Sequence, residues 1–371
     1  MKKLRIGQIA PLNVPIPPPK YGGTERIIHA LCNGLTDLGH EVFIFATKDT
    51  DVKANVIPVI EHCIWSNDIR ETTPYNAYAM AVIAKEIRRL KLDIVHDHVG
   101  PFSTVLYGSL DIPIVHTLHV PLSDPRVFAY KKLNCNLISI SDNQRKYAPD
   151  LNYVSTVYNC TDLNTFKFVP RPKDHLLFIG ELVERKGVKE AIITAKNLKF
   201  NLLVAGRVPL QTPSQIDDYI FYDNNVRQEF NENAIKYVGE VDSQKAATLY
   251  GEAKINLFPI SWEEPFGLVM IESMATGTPV VAYANGSVPE VIKDGITGFI
   301  INSSDSNIRG KWIIKKTGIQ GMMEAVQKIY SMSEEEYKKM RINSRKHVED
   351  NFAPDRMVND YLAVYEKVIK K

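Results

Sequence analysis

Two carboxylates and a glycine between them hold the clearest chemistry in the chain. Glu264 is followed by Pro265, Phe266 and Gly267, and Glu272 comes seven intervening residues later. The apolar run 255–260 predicts a buried strand, Pro265 and Gly267 predict a tight loop, and 268–275 has the residue types of a short helix. Gly277 and Pro279 end that helix before an apolar strand at 280–284. A helix start presents unpaired N–H groups and the positive end of a dipole, so the Gly267 and Leu268 amides suit a phosphate. Glu264 sits before that helix mouth and Glu272 roughly 7 Å along the helix. Two acids on either side of an anion site match a ligand with hydroxylated groups on both sides of a diphosphate. A nucleotide sugar has that layout, with one acid for the sugar and one for the ribose.

Basic and imidazole groups occur at other strand ends. Arg185 and Lys186 lie in the loop 181–187 after a strand at 175–180, and Arg207 closes the strand 202–206. Where a diphosphate must be neutralised, such cations are natural partners. In the first half, Gly22 and Gly23 follow a proline-rich loop, and adjacent glycines let backbone amides approach a ligand closely. His96, Asp97 and His98 end the strand 92–98, and Thr117 and His119 end the strand 112–119. Neighbouring strand ends of this kind lie where ligands bind in open α/β sheets. They also hold enough ligating groups to suggest a metal site.

The elements that position these groups alternate strand and helix throughout. The strand 4–10 leads to a helix reaching residue 38, with Thr24 as the expected N-cap and Ile27, Ile28, Leu31, Leu35 and Leu38 as its apolar face. A helix over 75–90 and a strand over 137–141, with a helix opening at Asp142, continue the first half. Pro170 and Pro172 punctuate a boundary. Helices are expected at 245–253, 321–330, 333–347 and 356–369. The polar, basic stretch 303–316 around Trp312 reads as a surface insertion, with contact to an acceptor or a membrane as the alternative.

Composition narrows the class. The chain has 371 residues, 44% hydrophobic and 24% charged, with a formal net charge of +2. That length favours two domains, and the near-neutral balance gives no support for nucleic acid as a partner. Four widely spaced cysteines without Cys-x-x-Cys read as reduced thiols of a cytoplasmic protein, not as a disulfide framework or zinc site. No apolar run is long enough to span a membrane, although peripheral contact stays open. Nothing here fixes oligomeric state.

The pattern Glu-Pro-Phe-Gly-Leu-Val-x-x-Glu, then Ser-Met-Ala-Thr-Gly-Thr-Pro, resembles the signature of retaining glycosyltransferases of family four. The Trp262-x-Glu264-Pro265-Phe266-Gly267 and Gly286-Ser287-Val288-Pro289-Glu290 motifs bring it nearest the subgroup acting on antibiotics and pterins. The resemblance implies two doubly wound Rossmann-like α/β domains facing across a cleft. They would be 1–168 on the acceptor side and 169–354 on the nucleotide-sugar side, with the helix at about 355–371 packing back on the first.

The resemblance also implies roles. His119 matches the histidine that contacts the transferred sugar, Glu264 orients that sugar, and Lys186 matches a diphosphate-binding lysine. Gly22 and Gly23 match a loop near the donor phosphates and acceptor, while Phe266, Gly267, Leu268 and Glu272 belong to the donor motif. Glu181 stands where the family has arginine, with Arg185 or Arg207 as substitutes. The expected reaction is metal-independent transfer of a hexose, with UDP-glucose favoured as donor, to an unidentified hydroxyl, and without a cofactor. A nucleotide-sugar epimerase and a non-catalytic donor-binding partner subunit are the alternatives.

Overall fold

The computed structural model describes residues 2–20, 22–65, 71–231 and 233–370. Tyr21, which opens the Gly22–Gly23 motif, and Lys371 lie outside the described residues. The chain divides into two compact units, residues 1–160 with 354–371, and residues 161–353. The segment 161–168, assigned to the first domain by the sequence reading, falls in the second unit, and Val169 just beyond it is tied there as well. Thr161 N–H donates to Phe352 O and Val169 N–H to Thr276 O.

The first unit is built on a seven-stranded parallel sheet, ordered β3-β2-β1-β4-β5-β6-β7. Its strands are β1 (Arg5–Ile9), β2 (Glu41–Thr47), β3 (Asn55–Ile60), β4 (Ile94–Asp97), β5 (Ile114–Leu118), β6 (Asn136–Ser139) and β7 (Tyr153–Thr156). Its helices are α1 (Gly23–Asp37), α2 (Thr73–Leu90) and α3 (Asp124–Lys132). The central strands are near-continuous apolar runs because helices cover both faces of a parallel sheet. Ile9, Phe45 and Val95 pack with Met80, Ile83 and Ile87 of α2 in one core cluster.

The second unit carries a six-stranded parallel sheet, ordered β10-β9-β8-β11-β12-β13. Its strands are β8 (Leu176–Ile179), β9 (Leu202–Ala205), β10 (Ile235–Tyr237), β11 (Ile255–Phe258), β12 (Val280–Tyr283) and β13 (Gly298–Ile301). Its helices are α4 (Val188–Leu198), α5 (Ile216–Asn225), α6 (Ser243–Glu252), α7 (Leu268–Ala275), α8 (Val288–Val291), α9 (Gly318–Tyr330) and α10 (Glu334–Asn351). The two sheets with their alternating helices make a two-domain α/β fold. The last helix, α11 (Pro354–Ile369), belongs to the first unit.

Several local expectations change. Thr24 does not cap α1: the cap is Gly22, at φ 147°. A Cβ there would stand 2.7 Å from Pro18 Cβ, so glycine is required by both space and conformation. Leu38 lies past the end of α1 and is 54% exposed, outside the buried stripe of Ile27, Ile28, Leu31 and Leu35. The helix expected at Asp142 is a five-residue 3-10 turn, Asn143–Tyr147. The stretch 303–316 is anchored on the second unit, with Ile314 buried and Trp312 Nε1 donating to Asn302 Oδ1 at 3.1 Å. Among the described residues, no helix is long and apolar enough to cross a membrane.

Candidate active site

In the second unit, the candidate side chains rise from the carboxyl ends of β8, β9 and β11. The loop after β8 turns through Gly187, at φ 79°, where a Cβ would lie 1.9 Å from Pro259 O. That close approach, with Ser261 N–H donating to Arg185 O at 3.0 Å, straps the Arg185–Lys186 turn to the loop after β11. Lys186 Nζ therefore reaches Glu264 Oε2 at 2.6 Å, with both side chains largely buried. Trp262 Nε1 donates to the same oxygen at 3.0 Å, and Lys186 Nζ lies 4.7 Å from the Trp262 ring centroid. The turn before α8 holds the carboxylate loop from the other side, since Ser287 N–H donates to Glu264 O at 3.0 Å.

Gly267, at φ 80°, caps α7, and the helix begins at Leu268 as the sequence predicts. Phe266 does not turn its ring outward. It is 1% exposed and packs edge-on against Phe352, so any ligand contact from this residue falls to its backbone. Glu272 is buried in α7, with Tyr250 OH 3.4 Å from Oε2.

Glu181 gathers both candidate arginines. Arg207 Nη2 stands 2.5 Å from Oε1 and Arg185 Nη2 stands 2.9 Å from Oε2. Arg185 also pairs with Asp218 at 3.0 Å. With Lys186–Glu264, this makes three cations matched by three carboxylates.

The first unit carries a separate cavity of about 480 Å³, whose wall includes Gly22, Gly23, Glu25, His116, His119 and Arg126. His119 sits just past β5, and its Nε2 is 2.8 Å from His98 Nδ1. His98 Nε2 is 2.8 Å from Gln8 Oε1, and Gln8 Nε2 donates to Tyr365 OH at 3.2 Å. Tyr365 OH is 2.6 Å from His96 Nδ1, and His96 Nε2 is 2.7 Å from Thr117 Oγ1. With an amide oxygen facing it, His98 Nε2 carries the proton. His98 Nδ1 then accepts from His119 Nε2–H, and His119 Nδ1 keeps its lone pair. The tautomers follow from this network. Burial lowers the pKa of all three histidines, that of His119 to about 3, so the chain is uncharged at neutral pH.

A second polar group lies beside it. Asp97 takes Val99 N–H on Oδ1 at 2.9 Å and Ser103 Oγ–H on Oδ2 at 2.5 Å. His116 Nδ1 is 2.7 Å from Asp97 Oδ2, though not aligned as a hydrogen bond, and its Nε2 meets Tyr130 OH at 3.0 Å. Among the described residues, no three His, Cys, Asp or Glu side chains are placed to hold a metal ion. All four cysteines are buried, and none forms a disulfide.

Sequence reading alone missed Gln8, His116, Arg126, Tyr130 and Tyr365. Gln8 and His116 sit within strands whose apolar character hides them. Arg126 and Tyr130 lie on α3, whose proline-led, polar start gave no helical pattern. Tyr365 is remote in sequence from everything it touches.

This architecture agrees with comparisons to known proteins. Residues 21–162 match the "Glycosyltransferase Family 4" model and residues 164–347 the "Glycosyl transferases group 1" model. The chain belongs to the glycosyltransferases, as a family 4 domain followed by a group 1 domain. Among curated relatives, it is 25% identical to N-acetyl-alpha-D-glucosaminyl L-malate synthase of Bacillus anthracis, over 95% of this chain and 96% of that one. It is 24% identical to the glycogen synthase of Mycobacterium tuberculosis, over 76% and 79% of the two chains. The fold is shared with sucrose-phosphate synthase of Thermosynechococcus elongatus at TM-score 0.79 and 18% identity, covering 99% and 100% of the chains. It is also shared with AviGT4, a glycosyltransferase of avilamycin A biosynthesis, at TM-score 0.68 and 18% identity, covering 99% and 98%.

Proposed function

We propose that this glycosyltransferase moves a hexose, with glucose from a UDP-sugar favoured, to a hydroxyl acceptor with retention of configuration and without a metal. The second unit holds the donor and the first unit the acceptor. The observation that carries this reading is the Lys186–Glu264 pair at 2.6 Å, beside the Gly267-capped start of α7. As the bond between sugar and diphosphate breaks, negative charge grows on the leaving oxygens. Lys186 and the first amides of α7 stabilise that charge without reorganising. Glu264, fixed by Lys186, Trp262 and the Ser287 amide, orients the sugar hydroxyls. Glu272 takes the ribose hydroxyls.

His119, held neutral with its Nδ1 lone pair available, accepts a hydrogen bond from an outer hydroxyl of the sugar. The departing phosphate oxygen takes the acceptor proton on the same face, so the reaction needs no separate base. The similarity to a glycogen synthase and to an N-acetyl-alpha-D-glucosaminyl L-malate synthase supports transfer as the reaction class.

Calorimetric binding of UDP, GDP and ADP in the presence of chelator tests the donor assignment, with Glu272→Ala in parallel. One nucleotide, UDP, is expected to bind, with the variant weaker by about tenfold or more. Failure of all three nucleotides to bind, or binding that depends on metal, rejects the reading.

A further inference from the structure

Among the described residues lining the cavity of the first unit, Arg126 is a cation without a carboxylate partner. Arg126 lies in the first turn of α3, four residues before Tyr130, and both line the cavity. Its Nη1 donates to Pro121 O at 2.7 Å, which tethers one edge of the guanidinium. Among the described residues, its remaining N–H groups have no acceptor. Several partly buried arginines are paired with carboxylates, Arg185 and Arg207 with Glu181, Arg309 with Glu263 and Arg356 with Asp360. Arg145 and Arg341 instead bond to hydroxyls and main-chain carbonyls. Arg126 differs from both groups in lining this cavity.

The rest of the wall does not supply the missing charge. Glu25 is the one carboxylate lining the cavity among the described residues. It is 7% exposed and folded under the α1 cap, where a Cβ on Gly22 would stand 3.0 Å from its Oε2. Asp97 lies behind His116 and is already engaged by Ser103 and the Val99 amide. The other polar groups of the wall, among them Asn13, Asn76 and Tyr130, suit hydroxyls. A tethered guanidinium beside groups that suit hydroxyls favours a planar or tetrahedral oxyanion through paired N–H donors.

From this we infer that the acceptor carries a carboxylate or phosphate group beside its hydroxyls, and that Arg126 binds it. The inference rests on reading the first unit as the acceptor side. The same chemistry belongs to a small soluble acid, a sugar phosphate or the phosphate of a lipid headgroup.

The test compares D-glucose, D-glucuronate and D-glucose 6-phosphate as binding probes, without donor, in wild type and in Arg126→Gln. At least one charged probe is expected to bind wild type about tenfold tighter than glucose, and the preference to vanish in the variant. Titration with inorganic phosphate, followed on the Arg126 Nε–H NMR signal, reads the site directly and is expected to shift that signal. Co-sedimentation with phosphatidylglycerol vesicles that is lost in Arg126→Gln assigns the anion to a headgroup. Binding of the soluble probes alone assigns it to a soluble acceptor.

Three outcomes overturn the inference: an unmoved Arg126 signal, a charge preference that survives in Arg126→Gln, or weakened UDP binding in that variant. The last would place Arg126 on the donor. Loss of nucleotide binding in the wild type, with the Arg126 response intact, would reject the transferase reading and leave the anion site standing.

Discussion

His98 and His119 share a single hydrogen bond, Nδ1 to Nε2 at 2.8 Å, and it decides which face His119 shows the cavity. Because Gln8 Oε1 holds His98 Nε2–H, His98 can only accept, and His119 is left with a basic nitrogen free. His98 thus acts as a positioning residue. In His98→Ala, the His119 ring is expected to populate both tautomers, seen as averaged nitrogen shifts in long-range 15N–1H spectra. The rate constant kcat should fall about tenfold to hundredfold, because a misplaced group is costly even when present. A single unchanged His119 tautomer would sink this role.

The same histidines make the first unit acid-sensitive. Burial holds His96, His98 and His119 below the ordinary value of 6.5, so between there and their native values the unfolded chain binds more protons than the folded one. Stability is fully present above about pH 6.5 and is lost as pH falls, by up to about 1.4 kcal/mol per histidine per pH unit. Urea midpoints followed through Trp65, with Trp262 and Trp312 replaced by Phe, are expected to drop between neutral and mildly acidic pH. His96→Gln should flatten the dependence, and a flat wild-type profile would contradict it.

Glu181 pairs with both Arg185 and Arg207, the arginines proposed to meet a diphosphate. Replacing it with Gln leaves one excess cation among the pairs formed by Glu181, Arg185, Arg207, Asp218, Lys186 and Glu264. UDP affinity in Glu181→Gln is expected to rise about fivefold, and the gain to shrink in high salt. Calorimetry at two ionic strengths checks this. Weaker binding would mean instead that Glu181 is needed to aim the arginines.

Gly286 supports Glu264 from beneath. At φ 60°, an added Cβ would stand 2.3 Å from Glu264 N and O, so Gly286→Ala must displace the carboxylate loop. A loss of about 2 kcal/mol in stability and of a hundredfold or more in kcat is expected. Retention of full activity would show that Glu264 tolerates displacement.

Much of the second unit was legible in the sequence because its candidate site is local. Glu264, Gly267 and Glu272 lie within one strand-loop-helix segment, and the glycine that caps α7 announces itself by position. Lys186 was found by motif, but its contact with Glu264 depends on the Gly187 turn meeting Pro259, which no linear pattern reveals. The first unit was harder. Strand β3 contains Pro58, which reads as a breaker, yet β3 is an edge strand and edges tolerate proline. The histidine chain was only half visible: His96, His98 and His119 marked strand ends, whereas the groups that set their protons, Gln8 and Tyr365, are 357 positions apart.

The return of α11 to the first unit has a consequence for biosynthesis. Gly34 of α1 gives way to Val358, where a Cβ would stand 2.5 Å from Cγ2, and Tyr361 and Tyr365 enter the first unit's buried interior. On the ribosome, the first 160 residues emerge well before these partners, and the entire second unit is made in between. Until then, His96 Nδ1 and Gln8 lack the phenol that joins them, and the α1 surface around Gly34 stands bare. The nascent first unit therefore lacks its α11 partners through the translation of nearly two hundred further residues, 161–353. Premature termination just upstream of α11 would yield a folded second unit attached to an unfinished first one.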